Sequence, residues 1–302
     1  MIKHMFGLLA LVLMMGMLSA CSGSGGDKQI TIGGKSFTEQ YMLTEMTALL
    51  LEEQGFEVDK KLNMGSSIAR KALTNGQIDM MWEYTGTGLV SYLGEDPIFD
   101  PDKAFQTVKK LDKKRNDIIW VNMSQVNNTY CLLMRKEQAK KLGIQSLGDL
   151  AKYVKNHPGE LKLAADGEFT NRPDGLPGLE KAYNFEFGSG QVVKMKTGLT
   201  YKALKQGQVD VAMGFSTDPR IKAYNLLVLD DNKQFFPPYY AAVEMREDVF
   251  KKYPKIQEIT EPLANKLTSR IMINLTYQVD IKGKKVRKVA KNWLVEQGLL
   301  EK

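Results

Sequence analysis

Residues 71–87 read KALTNGQIDMMWEYTGT, and residues 202–218 read KALKQGQVDVAMGFSTD. Lys71 aligns with Lys202, Gly76 with Gly207, Gln77 with Gln208 and Asp79 with Asp210, always 131 residues apart. Each segment reads as the end of a helix, a glycine turn and a strand of mainly apolar residues. Both strands end in an aromatic, Tyr84 and Phe215, followed by a small or hydroxyl residue. The same local chemistry written twice predicts two similar lobes. In open α/β sheets, ligands bind beyond the carboxyl ends of the strands. Each lobe would therefore offer one aromatic ring to a shared cleft.

Around these repeats, apolar strand-like runs alternate with helix-period segments, the pattern of an α/β protein. Strands are predicted at Gln29–Ile32, Phe56–Asn63, Ile78–Trp82, Leu161–Ala165, Val192–Lys196 and Val209–Phe215. Helices are predicted at Thr38–Gln54, Ser67–Asn75, Ser146–Asn156, Leu176–Tyr183 and Thr200–Gln206. The C-terminal third reads as mostly helical, with apolar stripes at Ile256–Leu267 and Lys285–Leu299.

Composition removes several function classes. The 302 residues are 43% hydrophobic and 25% charged, an ordinary globular balance that excludes disorder as the main state. The net charge of +7 is spread along the chain, with no basic arm for nucleic acid. Two histidines, His4 and His157, and two cysteines, Cys21 and Cys131, leave little for a zinc site, a disulfide framework or a Cys–His nucleophile. His157 sits in a helix-ending loop and reads as a solvated residue. The sequence has no Gly-x-Ser-x-Gly elbow, no Cys-x-x-Cys, no His-Glu-x-x-His and no phosphate-binding Walker loop. Gly86-Thr87-Gly88 begins a dinucleotide-like pattern but lacks the third glycine. No catalysis, no cofactor and no metal are expected.

The N-terminus reads as an address. Lys3 precedes an apolar stretch from Phe6 to Leu18, shorter than the ~20 residues a membrane span needs and suited to a signal peptide. Leu18-Ser19-Ala20-Cys21 looks like a bacterial lipobox, in which Cys21 is lipidated, the palmitate-type anchor of a lipoprotein, and becomes the new N-terminus. Ser22-Gly23-Ser24-Gly25-Gly26 then forms a flexible tether. Residues 1–20 are read as signal peptide and 21–28 as lipid-anchored tether. The mature protein would sit on the extracytoplasmic face of the cell membrane, held by lipid. Cys131, followed by Leu132, Leu133 and Met134, reads as a buried, inert thiol.

Six short stretches lie around the predicted strand ends: Gly33-Gly34-Lys35-Ser36-Phe37-Thr38-Glu39-Gln40, Trp82-Glu83-Tyr84-Thr85-Gly86-Thr87, Asn127-Asn128-Thr129-Tyr130, Arg172-Pro173-Asp174-Gly175-Leu176-Pro177-Gly178-Leu179, Gly214-Phe215-Ser216-Thr217-Asp218 and Pro237-Pro238-Tyr239-Tyr240-Ala241-Ala242. In this order, behind a lipobox, they resemble the quaternary-amine-binding lipoproteins of osmoprotectant ABC importers, the glycine betaine/carnitine/choline type. The resemblance covers essentially all of residues 29–301. It implies a two-lobed, type II periplasmic-binding-protein fold whose lobes close over ligand by hinge motion. The crossings would fall near Asn122–Asn127 and Leu229–Phe236. Lobe 1 would comprise 29–124 and 231–302, with the helical C-terminus packing back onto it, and lobe 2 would comprise 125–230. The receptor, a monomer, would deliver its ligand to an ABC permease driven by a separate ATPase.

A quaternary ammonium has no N–H to donate, so aromatic faces are its natural partners. The family cage is built from tyrosines, and Tyr84, Tyr130 and Tyr239 stand at matching positions. Phe215 stands where a fourth Tyr is expected; it keeps the ring face and loses the hydroxyl. Tyr239 competes with its neighbour Tyr240, since only one of two adjacent strand residues faces the cleft. For the polar end of the ligand, Thr87 lies in a Gly-flanked turn where backbone can approach closely. Thr at this place resembles broad-specificity members of the family. Lys35 and Ser36 lie at a strand-to-helix turn that favours an anion, although Ser36 or Thr38 could equally be the helix N-cap. Asn128 and Thr217 complete the polar candidates. Arg172 and Asp174 could join the lobes, against the plainer reading of Pro173-Asp174-Gly175 as a surface turn.

The nearest rival is a receptor of the same fold for a polar amino acid or another zwitterion, which would need an Arg–Asp pair in the cleft in place of rings. An adhesin-like or structural surface lipoprotein is the third reading. It predicts no ligand-coupled closure.

Overall fold

The computed structural model describes residues 28–188 and 190–301. The leader, the lipobox cysteine and the glycine-serine tether lie outside the described residues. Among the described residues, ten strands form two five-stranded sheets. The first holds β1 (Gln29–Lys35), β2 (Glu57–Met64), β3 (Met80–Tyr84), β4 (Ile118–Val121) and, from far along the chain, β10 (Ala241–Arg246). The second holds β5 (Tyr130–Arg135), β6 (Leu163–Ala165), β7 (Val192–Lys194), β8 (Val211–Phe215) and β9 (Leu226–Val228).

The sheets have matching order, β2-β1-β3-β10-β4 and β7-β6-β8-β5-β9. In each, the central strand pairs in parallel on one side and antiparallel on the other: β3 with β1 and β10, β8 with β6 and β5. The sequence repeat falls at equivalent places. Gly76 and Gly207 both turn at φ +73°, a left-handed conformation that glycine adopts without strain. The Asp79 amide donates to Thr31 O at 2.8 Å, and its carboxylate accepts from Thr31 N at 2.7 Å. Asp210 makes the same exchange with Lys162, at 2.9 Å in both directions. The repeated Gly-Gln-apolar-Asp is thus a device that docks a new strand onto its parallel neighbour.

The chain leaves the first sheet after Val121 and re-enters it at Ala241. Asn127 and Tyr240 pair antiparallel where the two connecting segments run side by side. Both central strands are buried along almost their whole length, as strands covered on both faces must be. Helix Thr38–Glu53 is buried through Glu39–Leu51 apart from Tyr41, between the first sheet and the C-terminal helices. Arg287, in the last helix Val286–Glu296, bonds Glu45 and Glu52 of that helix, each at 2.7 Å.

Several elements depart from the sequence expectation. Strands β4, β9 and β10 and helix Pro101–Asn116, capped by Asp100 through Lys103 N, were not read from the sequence. The segment after β3 is a π-helical turn, Thr87–Tyr92, rather than a glycine-flanked loop. Neither Ser36 nor Thr38 caps the first helix: extended Phe37 holds the N-cap position without a side-chain bond, and Thr38 Oγ1 donates instead to Asp280 at 2.7 Å. No helix among the described residues is long and apolar enough to cross a membrane.

Candidate ligand-binding site

A cavity opens between the two sheets at the carboxyl ends of β3 and β8. One wall is aromatic and comes from both halves of the chain. Tyr130 on β5 stands opposite Phe215 on β8 in the antiparallel register. Cross-strand partners share a face of the sheet, and the two rings stack with centroids 5.1 Å apart. Phe37 stacks on Phe215 in turn at 5.2 Å and lies 6.3 Å from Tyr84. Tyr239 meets Tyr130 edge-on at 5.5 Å. Gly86 makes room for this ring: a Cβ there would stand 2.7 Å from it. Tyr239 lines the cavity and Tyr240 does not.

Two of the ring hydroxyls, those of Tyr84 and Tyr239, are anchored. Tyr84 donates to Glu39 Oε1 at 2.7 Å and accepts from Gln40 Nε2 at 3.1 Å. Burial pushes the Glu39 carboxyl above its ordinary value, against hydrogen bonds from Tyr84, Thr217 and Asn128. Tyr239 donates to Asp174 Oδ2 at 2.6 Å.

The opposite wall is charged but compensated. Arg172 Nε and Nη2 grip the Asp174 carboxylate at 2.9 and 2.6 Å, a two-point pair with both side chains buried. Arg172 Nη2 also reaches Thr87 Oγ1 at 3.3 Å, while Nη1 makes no hydrogen bond among the described residues. Burial pushes the Asp174 carboxyl up. The bonds and charge of Arg172 outweigh this and hold it below the usual carboxylate range. Lys35 Nζ pairs with buried Glu83 at 2.5 Å and lies 5.1 Å from the Tyr84 ring centre. Each cation has its own carboxylate, so the two pairs add no net charge. Asp166 and Glu168 lie at the mouth, where Glu168 Oε1 accepts from Ser66 N across the cleft at 3.1 Å.

The structure brings together Tyr84, Tyr130, Phe215, Tyr239, Thr87, Lys35, Ser36 and Asn128 in this one cavity. Thr217 falls outside it, in a neighbouring recess with Glu39 and Asp218. Two residues past Phe215 the chain turns, with Asp218 N donating to Phe215 O, and this carries Thr217 behind the ring. The surface reading of Pro173-Asp174-Gly175 is corrected. The turn exists, with Gly175 N bonded to Arg172 O, but the first lobe covers it through Thr87 and Ser91. Phe37 was not singled out from sequence, although it sits inside a motif read for its polar residues. Cys131 is free and buried, and burial pushes its thiol pKa up, which leaves it unreactive.

Faces of aromatic rings, a guanidinium with a spare donor edge and a charge-compensated floor suit a small molecule with a cationic end and an anionic end. They offer no nucleophile held by a base. Among the described residues no group of His, Cys, Asp or Glu is arranged to hold a metal ion.

Comparison with known proteins agrees with this geometry. Residues 28–296 match the model for the substrate binding domain of ABC-type glycine betaine transport systems. A glycine-betaine-binding protein of Pseudomonas aeruginosa is 38% identical over 285 residues, covering 93% of this chain and 91% of that one. The carnitine transport binding protein OpuCC of Listeria monocytogenes is 37% identical over 292 residues, covering 94% and 93%. A crystal structure of a glycine betaine/carnitine/choline ABC transporter protein superposes with a TM-score of 0.69 at 36% identity, over 90% of this chain and all of that one. The two lobes are those of a transport receptor, not of an enzyme. The chain belongs to the family of substrate-binding domains of ABC-type glycine betaine transport systems.

Proposed function

We propose that this chain captures a quaternary ammonium zwitterion, glycine betaine or carnitine, between its lobes and hands it to an ABC permease. The observation that carries the reading is the continuous ring wall Tyr84–Phe37–Phe215–Tyr130–Tyr239, drawn from both sheets and facing Arg172 and Lys35. The trimethylammonium would lie against the rings, each desolvated contact contributing about 1–2 kcal/mol. The carboxylate would take the spare edge of Arg172, supported by Lys35 and Thr87. Choline, which lacks that carboxylate, would bind more weakly. The rings argue against the polar amino-acid rival even though the Arg–Asp pair it required is present. In the same reading 29–124 with 231–302 forms lobe 1 and 125–230 forms lobe 2. Cys21 carries the lipid that holds the receptor at the outer face of the membrane.

A second reading is a bulkier trimethylammonium betaine bearing N–H donors, favoured by the carboxylates of Asp166 and Glu168 at the cavity mouth. A relative from Helicobacter pylori, 35% identical over 275 residues that cover 90% of this chain and 48% of that one, is named as an ergothioneine transport permease and binding protein. Calorimetric titration of residues 22–302 with glycine betaine, carnitine, choline, ergothioneine and a neutral tert-butyl isostere tests both. Micromolar binding of the cations, absent for the isostere, is expected. No binding of any quaternary amine by folded protein would refute the cage.

A further inference from the structure

Glu39 lies behind the ring wall, 4% exposed, and its two carboxyl oxygens are treated unequally. Oε1 accepts from the Tyr84 hydroxyl and from Asn128 Nδ2, each at 2.7 Å. Oε2 is buried and accepts from no group among the described residues, and the same holds for Asn128 Oδ1, on a side chain that is also buried. Two planar groups are thus joined through one arm each, and each leaves its other arm as a buried acceptor without a donor. That arrangement is costly for a carboxylate. It also lacks a counter-charge: Lys35 is paired with Glu83, Arg220 is divided between Asp218 and Asp280, and the charge Glu39 feels most is that of Asp218, itself negative. One proton answers both deficits. Placed on Oε2, it turns an acceptor into a donor and removes the charge. The N-terminus of Glu39's own helix, Thr38–Glu53, favours the anion, but less strongly than two stranded acceptors disfavour it.

We propose that Glu39 is a positioning residue of the cage and acts as a neutral carboxylic acid, with Oε2–H donating to Asn128 Oδ1 while Oε1 holds the Tyr84 hydroxyl and Asn128 Nδ2. It thereby ties the first sheet to the strap between the sheets. Asn128 N donates to Tyr239 O at 2.9 Å, and Asn128 lies two residues before Tyr130, so one acid sets the place of three rings. The cover over Glu39 comes from across the cleft. Phe215, Thr217 and Asp218 close a recess of about 20 Å³ against Glu39, Asn128 and Asp280, room for about one water. The charged and titratable groups facing it are Asp218 and Arg220 beyond β8, Asp280 of helix Ser269–Asp280, and Lys35, Glu83 and Tyr84 of the first sheet. Burial is the first cause that pushes the Glu39 carboxyl up, and opening the lobes would admit water to Oε2 and let the acid ionise. Closure over ligand therefore takes up a proton. The bound cation opposes this from the other side of the rings, where its diffuse charge counts for less than the lost hydration. The inference deepens the cage reading and rests on it for the ligand.

The test titrates glycine betaine into wild type, Glu39→Gln and Asp218→Asn from pH 6 to 9, in buffers of different ionisation heat. Wild type should take up a fraction of a proton per ligand, and its Kd should rise with pH, by up to roughly tenfold per pH unit at the steepest point. In Glu39→Gln an amide N–H replaces Oε2–H, so uptake should vanish and Kd stay within about twofold across the range. That variant should bind more tightly than wild type at pH 9. Asp218, which titrates at about 6, is the control, and its variant should keep the wild-type slope above pH 7. A flat wild-type Kd without proton uptake would overturn the proposal and leave an ionised Glu39 bridged to Asn128 by a water in the recess. The wild-type slope persisting in Glu39→Gln would overturn it by assigning the proton elsewhere. Loss of binding by folded Glu39→Gln at every pH would overturn it too, since the cage would then need the charge. Infrared spectroscopy of wild type decides without a variant: a neutral carboxylic acid band that grows on adding ligand above pH 7 supports the assignment, and its absence overturns it. Failure of every amine to bind would refute the cage reading separately, and the same band in the ligand-free chain would then decide Glu39.

Discussion

Replacing Arg172 separates the two ends of the ligand. Its Nε and Nη2 are committed to Asp174, and Nη1 is left with no partner among the described residues. A ligand carboxylate meeting that edge gains a hydrogen bond between charged groups, typically about 1.5–3 kcal/mol. At about 1.4 kcal/mol per tenfold, Arg172→Met should weaken glycine betaine roughly 10- to 150-fold. Choline should change by less than about threefold, since its cationic end faces the rings. The substitution also strands Asp174, and breaking a buried pair from one side costs about 3–5 kcal/mol of stability. Here Tyr239 still donates to that carboxylate at 2.6 Å, so the lower end is expected. The control is Arg172→Met/Asp174→Asn, which removes both charges and should recover most of the lost Tm while keeping the selectivity change. Calorimetry with both ligands on both variants reads the outcome. Equal weakening of betaine and choline would show that Arg172 only holds the scaffold, and would refute the assignment of the carboxylate end.

Two further perturbations follow from the same geometry. Phe215→Ala removes the ring that Phe37 and Tyr130 both stack against and should weaken all trimethylammonium ligands about tenfold, whereas Phe215→Tyr should bind within threefold of wild type; calorimetry decides, and an unchanged alanine variant would remove Phe215 from the cage. Asp218, beside Arg220 and Asp280, is raised by burial from 3.8 to about 6, despite the opposing charge of Arg220. A carboxyl raised on folding contributes stability that is present below pH ~4 and lost as pH rises through about 6, a penalty of up to ~3 kcal/mol. Asp218→Asn should therefore flatten the fall in stability between pH 4 and 6, measured by urea unfolding, and a variant with the wild-type pH profile would refute the assignment.

What the sequence revealed was local and what it hid was supplied from elsewhere in the chain. The strand of the repeat was legible because its Gly, Asp and apolar run act within a short stretch. Strand β10 was not, because residues 241–246 bury Glu244 in their midst. That carboxylate is tolerated beside Arg70, 174 residues away. Turn chemistry announced Pro173-Asp174-Gly175 correctly but carried no information about the lobe that covers it. The N-cap of the first helix failed as a prediction because the Thr38 hydroxyl is recruited by Asp280 from the far end of the chain. The rings Tyr84 and Phe215 could be marked from the repeat alone. Phe37 could not, for it belongs to neither repeat.

The two self-compensated ion pairs of the cavity wall have a consequence for ionic strength. Salt screens exposed charges strongly and buried pairs little. Arg172–Asp174 and Lys35–Glu83 are buried, and ring faces need no counter-ion. Capture should therefore hold nearly constant from dilute to concentrated medium. Titrating sodium chloride against ligand affinity checks this: a receptor so built loads equally well in fresh and in briny surroundings, and an affinity that falls steeply with salt would show that exposed charge takes part in capture.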